Sequence, residues 1–177
     1  MPIGTRVLPW DSGWDAIKRR FPCAIAVLEV FLPYILTKPS LNAECQFCKI
    51  VKGDVPSFKL IETEYSCSVL VDVGRWTLSR GHALIIPKFH GEKLADIPDE
   101  YLNDTLTIAK KIAIAQGVED YNILQNNGPL AHQEVKHAHF HVIPKPSTDE
   151  GLGIRWNSLT PSKEDLQMVF EEIIGRL

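Results

Sequence analysis

A chain of 177 residues, 45% hydrophobic and 8% aromatic, is long enough for one domain with its own core and too apolar for wholesale disorder. Nineteen Lys and Arg against 22 Asp and Glu leave a net charge of -3, with no dense basic stripe of the kind that counterion release on a nucleic-acid polymer favours. Four cysteines are too few and too irregular for the disulfide framework of a secreted domain, so a small ligand and a reducing compartment, cytoplasmic and also nuclear, are expected.

Residues 1–44 read as a weakly ordered N-terminal extension, and residues 45–177 as the domain proper. Within the extension, Phe21 to Leu36 is apolar, but Glu29 and Pro33 interrupt it and it falls short of the roughly 20 residues a spanning helix needs. No membrane span is expected. The preceding KRRF has the basic character of a targeting flank, and a mitochondrial location is the alternative if the extension is a presequence. Asp11 and Asp15 argue against it, because such presequences are poor in acids.

From Cys45 the pattern is regular. CQFCKIVKGDVP predicts a short helix closed by Gly53, followed by strands at FKLIET and CSVLVD, and a third at HALIIPK. Asp96 is expected to cap a helix with Pro98 in its first turn, carried by Leu102, Leu106, Ala109 and Ala113 until Gly117 ends it. YNILQN supplies a fourth strand, then comes the loop NGPLAHQEVK, then a fifth strand at HAHFHVIP. The last helix, TPSKEDLQMVFEEIIGRL, takes Thr160 as cap and Pro161 as its first residue. Strands and segregated helices of this kind predict an α+β domain with a mostly antiparallel sheet.

The fifth strand holds three of the six histidines. Strand side chains alternate between faces, so His137, His139 and His141 line one face while Ala138, Phe140 and Val142 enter the core on the other. Imidazole changes charge near neutral pH and serves as nucleophile, proton carrier or metal ligand. A single histidine on a half-buried strand is more often just a solvated polar side chain. Three in alternation, with His132 in the preceding loop, favour chemistry.

HAHFHVI, with GHALIIPKFH and NILQNNG...HQEVKHAHFHVIPK around it, resembles the histidine-triad (HIT) family. The likeness runs from Cys45 to about Leu177 and is nearest to the Hint branch, especially its fungal adenosine 5'-monophosphoramidases. It implies a HIT-like fold: an antiparallel five-stranded sheet, a long helix and a C-terminal helix, with the sheet continued across a homodimer. It implies a nucleotide-binding hydrolase that cleaves the P–N bond of purine nucleoside 5'-phosphoramidates through a nucleotidyl-histidine. His139 would be the nucleophile, with His141, His137 and His82 around it. The nucleotide would be held by Asp72, Val73, Asn126, Gly128, His132, Gln133 and Glu134 together with His139 and His141. The carboxylate of Asp72 would accept hydrogen bonds from the ribose hydroxyls.

Two features depart from the family pattern. VGRWTLSRG between Asp72 and His82 is two residues longer than usual and lacks the common proline, and Glu134 replaces a frequent Ser or Thr. A carboxylate at that position repels phosphate unless it is protonated or turned away. The Cys45/Cys48 pair is C-x-x-C, which alone allows zinc, redox chemistry or coincidence. The resemblance adds His90 and His137 to it, a Cys2His2 set suited to structural zinc, with no organic cofactor. The alternatives to a phosphoramidase are a dinucleoside polyphosphate hydrolase or phosphorylase of the same superfamily, and a non-catalytic zinc- or nucleotide-binding partner protein.

Overall fold

The computed structural model describes residues 40–71 and 77–177. The expectations for the apolar stretch from Phe21 to Leu36, and those for Asp72 and Val73 at the ribose, lie outside the described residues. Among the described residues no helix is long and apolar enough to cross a membrane.

Five strands form one antiparallel sheet in the order β1-β2-β3-β5-β4. They are β1 (Lys59–Glu62), β2 (Ser66–Leu70), β3 (Ala83–Pro87), β4 (Tyr121–Gln125) and β5 (Phe140–Pro144). Helix α1 (Gln46–Lys52) precedes the sheet, α2 (Thr105–Gln116) lies between β3 and β4, and α3 (Lys163–Ile174) ends the chain. Alternation along β3 sorts the core into two layers. Ala83 and Ile85 pack with Val142 against Ile108, Ala109, Ile112 and Ala113 of α2. Leu84 and Ile86 face the other way and meet Phe47 and Val51 of α1, together with Cys67 and Val69. Since Leu84 stands opposite His141 in the β3–β5 ladder, the ring of His141 shares the α1 face.

Helix α1 ends where expected, at Gly53 with φ 87°, a left-handed cap that glycine adopts without steric penalty. Helix α2 does not begin at Asp96. Asp96 instead closes a 3-10 turn, accepting the Lys93 backbone N–H at 2.8 Å. A second 3-10 turn after Pro98 buries Tyr101 beside Ile97 and Ala138, and the helix starts only at Thr105. Anchoring of Tyr101 overrides the sequence periodicity, so Leu106 points outward and is 65% exposed. At α3 the cap is Ser162, not Thr160: its hydroxyl accepts from Asp165 N–H and the Asp165 carboxylate accepts from Ser162 N–H, a reciprocal box.

Candidate active site

The approach to β5 carries the three histidines of the alternating trio. Only His141 lies inside the strand, His137 sitting in a bend and His139 in the short segment that leads into β5. Alternation nevertheless holds through the junction: Ala138 joins the Ile97–Tyr101 cluster and Phe140 the α2 layer, while Phe47 of α1 lies edge-on to His137 and His139. His137 is fully buried and His139 nearly so.

Hydrogen bonds settle which nitrogen carries each proton. Nδ1 of His139 lies 2.7 Å from the carbonyl oxygen of His137, so Nδ1–H donates there and the Nε2 lone pair is free. Burial pushes the His139 imidazole below its ordinary pKa, against an opposing pull from that carbonyl; the ring is neutral at pH 7. A neutral imidazole with a free Nε2 is a nucleophile that needs no prior deprotonation. The backbone N–H of Leu78 donates to Nδ1 of His82 at 3.3 Å, which leaves the His82 Nε2–H to donate to Nδ1 of His141 at 2.9 Å. His141 therefore carries its proton on Nε2. Burial first, then the neighbouring His139 and His82, drive its pKa down to about 3. The rings of His139 and His141 lie 4.9 Å apart.

The loop before the trio is braced from within. Gly128 holds φ 85° with ψ 165°, a region open essentially to glycine alone. Its N–H donates to Oε1 of Gln133 at 2.6 Å, and the Gln133 amide N–H groups donate to the carbonyls of Glu92 and Val135. The Gln133 side chain is thus taken up inside the loop and leaves no amide hydrogen for a phosphate. Asn126 donates through Nδ2 to the His132 carbonyl at 3.3 Å, which keeps its second amide hydrogen available. His132 is exposed and sits at φ 60° in the left-handed region. Glu134 is exposed and lines a cleft with Glu44, Cys45, His90, Glu92 and Lys136 that includes neither His139 nor His141.

On the side of the trio facing α1, four metal-ligating groups converge: Cys45, Cys48, His90 and His137, with ligand atoms all within 4.8 Å of one another. Nδ1 of His137 lies 3.5 Å from each thiol sulfur and 3.2 Å from Nδ1 of His90. Cys48 Sγ is 3.4 Å from Nδ1 of His90. The other nitrogen of His137 donates its N–H to the Pro87 carbonyl at 2.9 Å. That bond turns the unprotonated Nδ1 toward the thiols, the orientation a ligand requires. Burial pushes His137 down to about 4, so it is neutral, and pushes the Cys48 thiol up to about 11, against a lowering by the Asn42 N–H. Such a thiol needs a cation beside it to ionise.

The HIT domain profile matches residues 52–148 of the chain. The adenosine 5'-monophosphoramidase HNT1 of Saccharomyces cerevisiae is 48% identical over 82% of the chain and 93% of its own length. The chain belongs to the HIT family. Among solved HIT structures, a histidine triad nucleotide-binding protein from Candida albicans is 43% identical, with a TM-score of 0.71 over 75% of this chain and 96% of that one. A zinc-bound histidine triad family protein from Mycobacterium smegmatis is 31% identical, with a TM-score of 0.55 over 76% of this chain and 98% of the other.

The HIT fold thus gathers His82, His137, His139 and His141, and separately Cys45, Cys48, His90 and His137. Three contributors carried no signal of their own in the sequence. The Pro87 carbonyl and Leu78 N–H are backbone groups that any residue supplies. Phe47, inside the C-x-x-C segment, reads as ordinary helix core.

Proposed function

We propose that this HIT protein hydrolyses adenosine 5'-phosphoramidates, with other purine nucleosides as further substrates, to the nucleoside monophosphate and an amine. The supporting observation is the state of His139: neutral, with Nδ1–H committed to the His137 carbonyl and Nε2 free. The Nε2 lone pair attacks the α-phosphorus and the P–N bond to the amine breaks. Positive charge then grows on the ring, and the His137 carbonyl dipole, already aligned on Nδ1–H, stabilises it. The Nε2–H of His141, fixed there by His82, hydrogen-bonds to the phosphoryl oxygen as charge builds on it, and the departing nitrogen takes its proton from water, leaving as the amine. Water then cleaves the nucleotidyl-histidine and frees His139.

Asn126 contributes its second amide hydrogen to the phosphate, Gly128 supplies the positive-φ turn beside it, His132 and Glu134 belong to the same loop, and Gln133 acts as the brace that shapes it. Asp72 and Val73 hold the ribose. The close likeness to a yeast adenosine 5'-monophosphoramidase supports the same chemistry.

Zinc fits the Cys45, Cys48, His90 and His137 set. Tetrahedral zinc with bonds of about 2.05 Å to nitrogen and about 2.3 Å to sulfur has edges of about 3.3 Å between nitrogens and about 3.6 Å between nitrogen and sulfur. Four of the six separations here are 3.2 Å between nitrogens and 3.4 to 3.5 Å between nitrogen and sulfur, and all six lie within 4.8 Å. When bound, zinc supplies a structural cross-link and no reacting water. His137 then serves twice, its ring on the metal and its carbonyl on the nucleophile. The protein acts as a homodimer, supported by the exposed edge strand β4 and by Leu106 and Ile114 exposed on α2.

The test is mass spectrometry of quenched reactions with an AMP-amine substrate. An adenylyl group on His139 is expected, and His139→Ala should lower turnover by about three orders of magnitude or more. Retained turnover in the variant, or faster release of AMP from diadenosine polyphosphates than from the phosphoramidate, would overturn the assignment.

A further inference from the structure

Half of the donor set comes from one turn of one helix. Cys45 is the N-cap residue of α1 and Cys48 lies three residues on, so helical geometry puts their Cα atoms about 5 Å apart, inside the range a disulfide bridges. Their sulfurs lie within 4.8 Å of each other. The two histidine ligands come from other parts of the chain and cannot be oxidised in this way.

The two cysteines differ in their surroundings. Cys48 is fully buried. Cys45 is buried at the ligand cluster but half-buried as a whole residue, and it lines an open cleft of about 470 Å3 with Asn42, Glu44, Gln46, His90 and Glu92. A small polar oxidant reaches Cys45 first and finds Cys48 directly behind it. Cys67, the other free cysteine among the described residues, is fully buried between α1 and the sheet and has no such opening.

We propose that Cys45 and Cys48 form a reversible oxidation site for peroxides, closing to a disulfide that releases the metal ion and slows turnover. The Cys45 thiolate attacks one peroxide oxygen, giving a sulfenic acid and hydroxide. The Cys48 thiolate then attacks that sulfur, forming the disulfide and expelling a second hydroxide. Two thiolates lose two electrons, and the peroxide with two protons becomes two waters. A disulfide has no thiolate charge to offer zinc, and two neutral imidazoles alone hold it weakly.

The consequence reaches the nucleophile through His137. Without the metal, its ring keeps the bond to the Pro87 carbonyl but loses the tie to the ion, and the segment whose carbonyl orients His139 loses its cross-link. Turnover should fall by about tenfold, the scale on which support of a functional group by its neighbours acts, and not to the level of His139→Ala.

This inference rests on the zinc reading, so the test begins with metal content. The full chain, purified without chelator, is assayed for zinc, then treated with hydrogen peroxide. Zinc release to a chromogenic indicator, intact mass, peptide mapping and phosphoramidate turnover are followed together. The expected result is release of the bound zinc with loss of two hydrogens mapped to a Cys45–Cys48 disulfide, and a parallel fall in turnover. A dithiol plus zinc should restore activity, and zinc alone should not. Absence of metal at the outset sinks the zinc reading and this inference with it. Zinc present but retained under peroxide, oxidation mapped to other cysteines, or disulfide formation without a fall in turnover overturns the inference alone.

Discussion

His141 makes the fold sensitive to acid in a direction that its burial dictates. Its pKa is about 3 in the folded protein, against about 6.5 for a free imidazole. As pH falls through the mid-sixes, the unfolded chain takes up a proton that the folded chain refuses. Stability is therefore unaffected above that range and declines from there toward pH 3, by up to about 1.4 kcal/mol per pH unit for one such ring. His141→Asn keeps an acceptor toward His82 and removes the titration. Urea denaturation at pH 7 and pH 5 should show a smaller acid loss in the variant than in the wild type, by about 2 kcal/mol. Equal losses would mean that His141 is not the group responsible. The trio itself was legible, because side chains two residues apart share a face whatever the fold. Its tautomers were not: the Pro87 carbonyl reaches His137 across fifty positions, and the short-range bonds from Leu78 N–H to His82 and from His139 to the His137 carbonyl depend on backbone angles that no residue type announces.

Strands and helix ends differ in how well the local sequence determines them. The branched runs at β2 and β3 are buried on both faces and have few competing arrangements. The start of α2 is a tertiary decision. Asp104, its N-cap, makes no capping bond; its carboxylate instead accepts the hydroxyls of Thr63 and Ser66, the latter at 2.7 Å, and so ties the helix to the β1–β2 turn. Nothing near Asp96 or Asp104 announces that choice, because Thr63 and Ser66 lie about forty positions away. Asp104→Ala removes two bonds to a charged group and leaves the fully buried Ser66 hydroxyl without that partner. A loss of about 2 to 3 kcal/mol is expected in urea denaturation. A loss below about 0.5 kcal/mol would show that the helix start is held by packing of Tyr101 alone.

At the level of the whole molecule, the metal-ligating cluster and the exposed surface pose opposite problems of legibility. The cluster draws on positions 45, 48, 90 and 137, a spread that no local pattern links; only the family likeness brought them together beforehand. The surface was readable in kind but not in place. Helix α2 buries Ile108, Ala109, Ile112 and Ala113 and turns Leu106 and Ile114 outward at 65% and 68% exposure, while β4, an edge strand of the sheet among the described residues, leaves Tyr121 and Ile123 40% and 42% exposed. A sheet edge that pairs with no strand among the described residues, beside exposed apolar side chains, favours pairing with a second copy about a twofold axis, since the same patch then covers itself. The double variant Leu106→Glu/Ile114→Glu places four carboxylates in such an interface, where desolvation and like-charge repulsion oppose association. Sedimentation should show the wild type at twice the chain mass and the variant at the chain mass, with unchanged far-UV circular dichroism. A variant that still sediments as a dimer would remove α2 from the interface and leave pairing through the β4 edge as the mode to test.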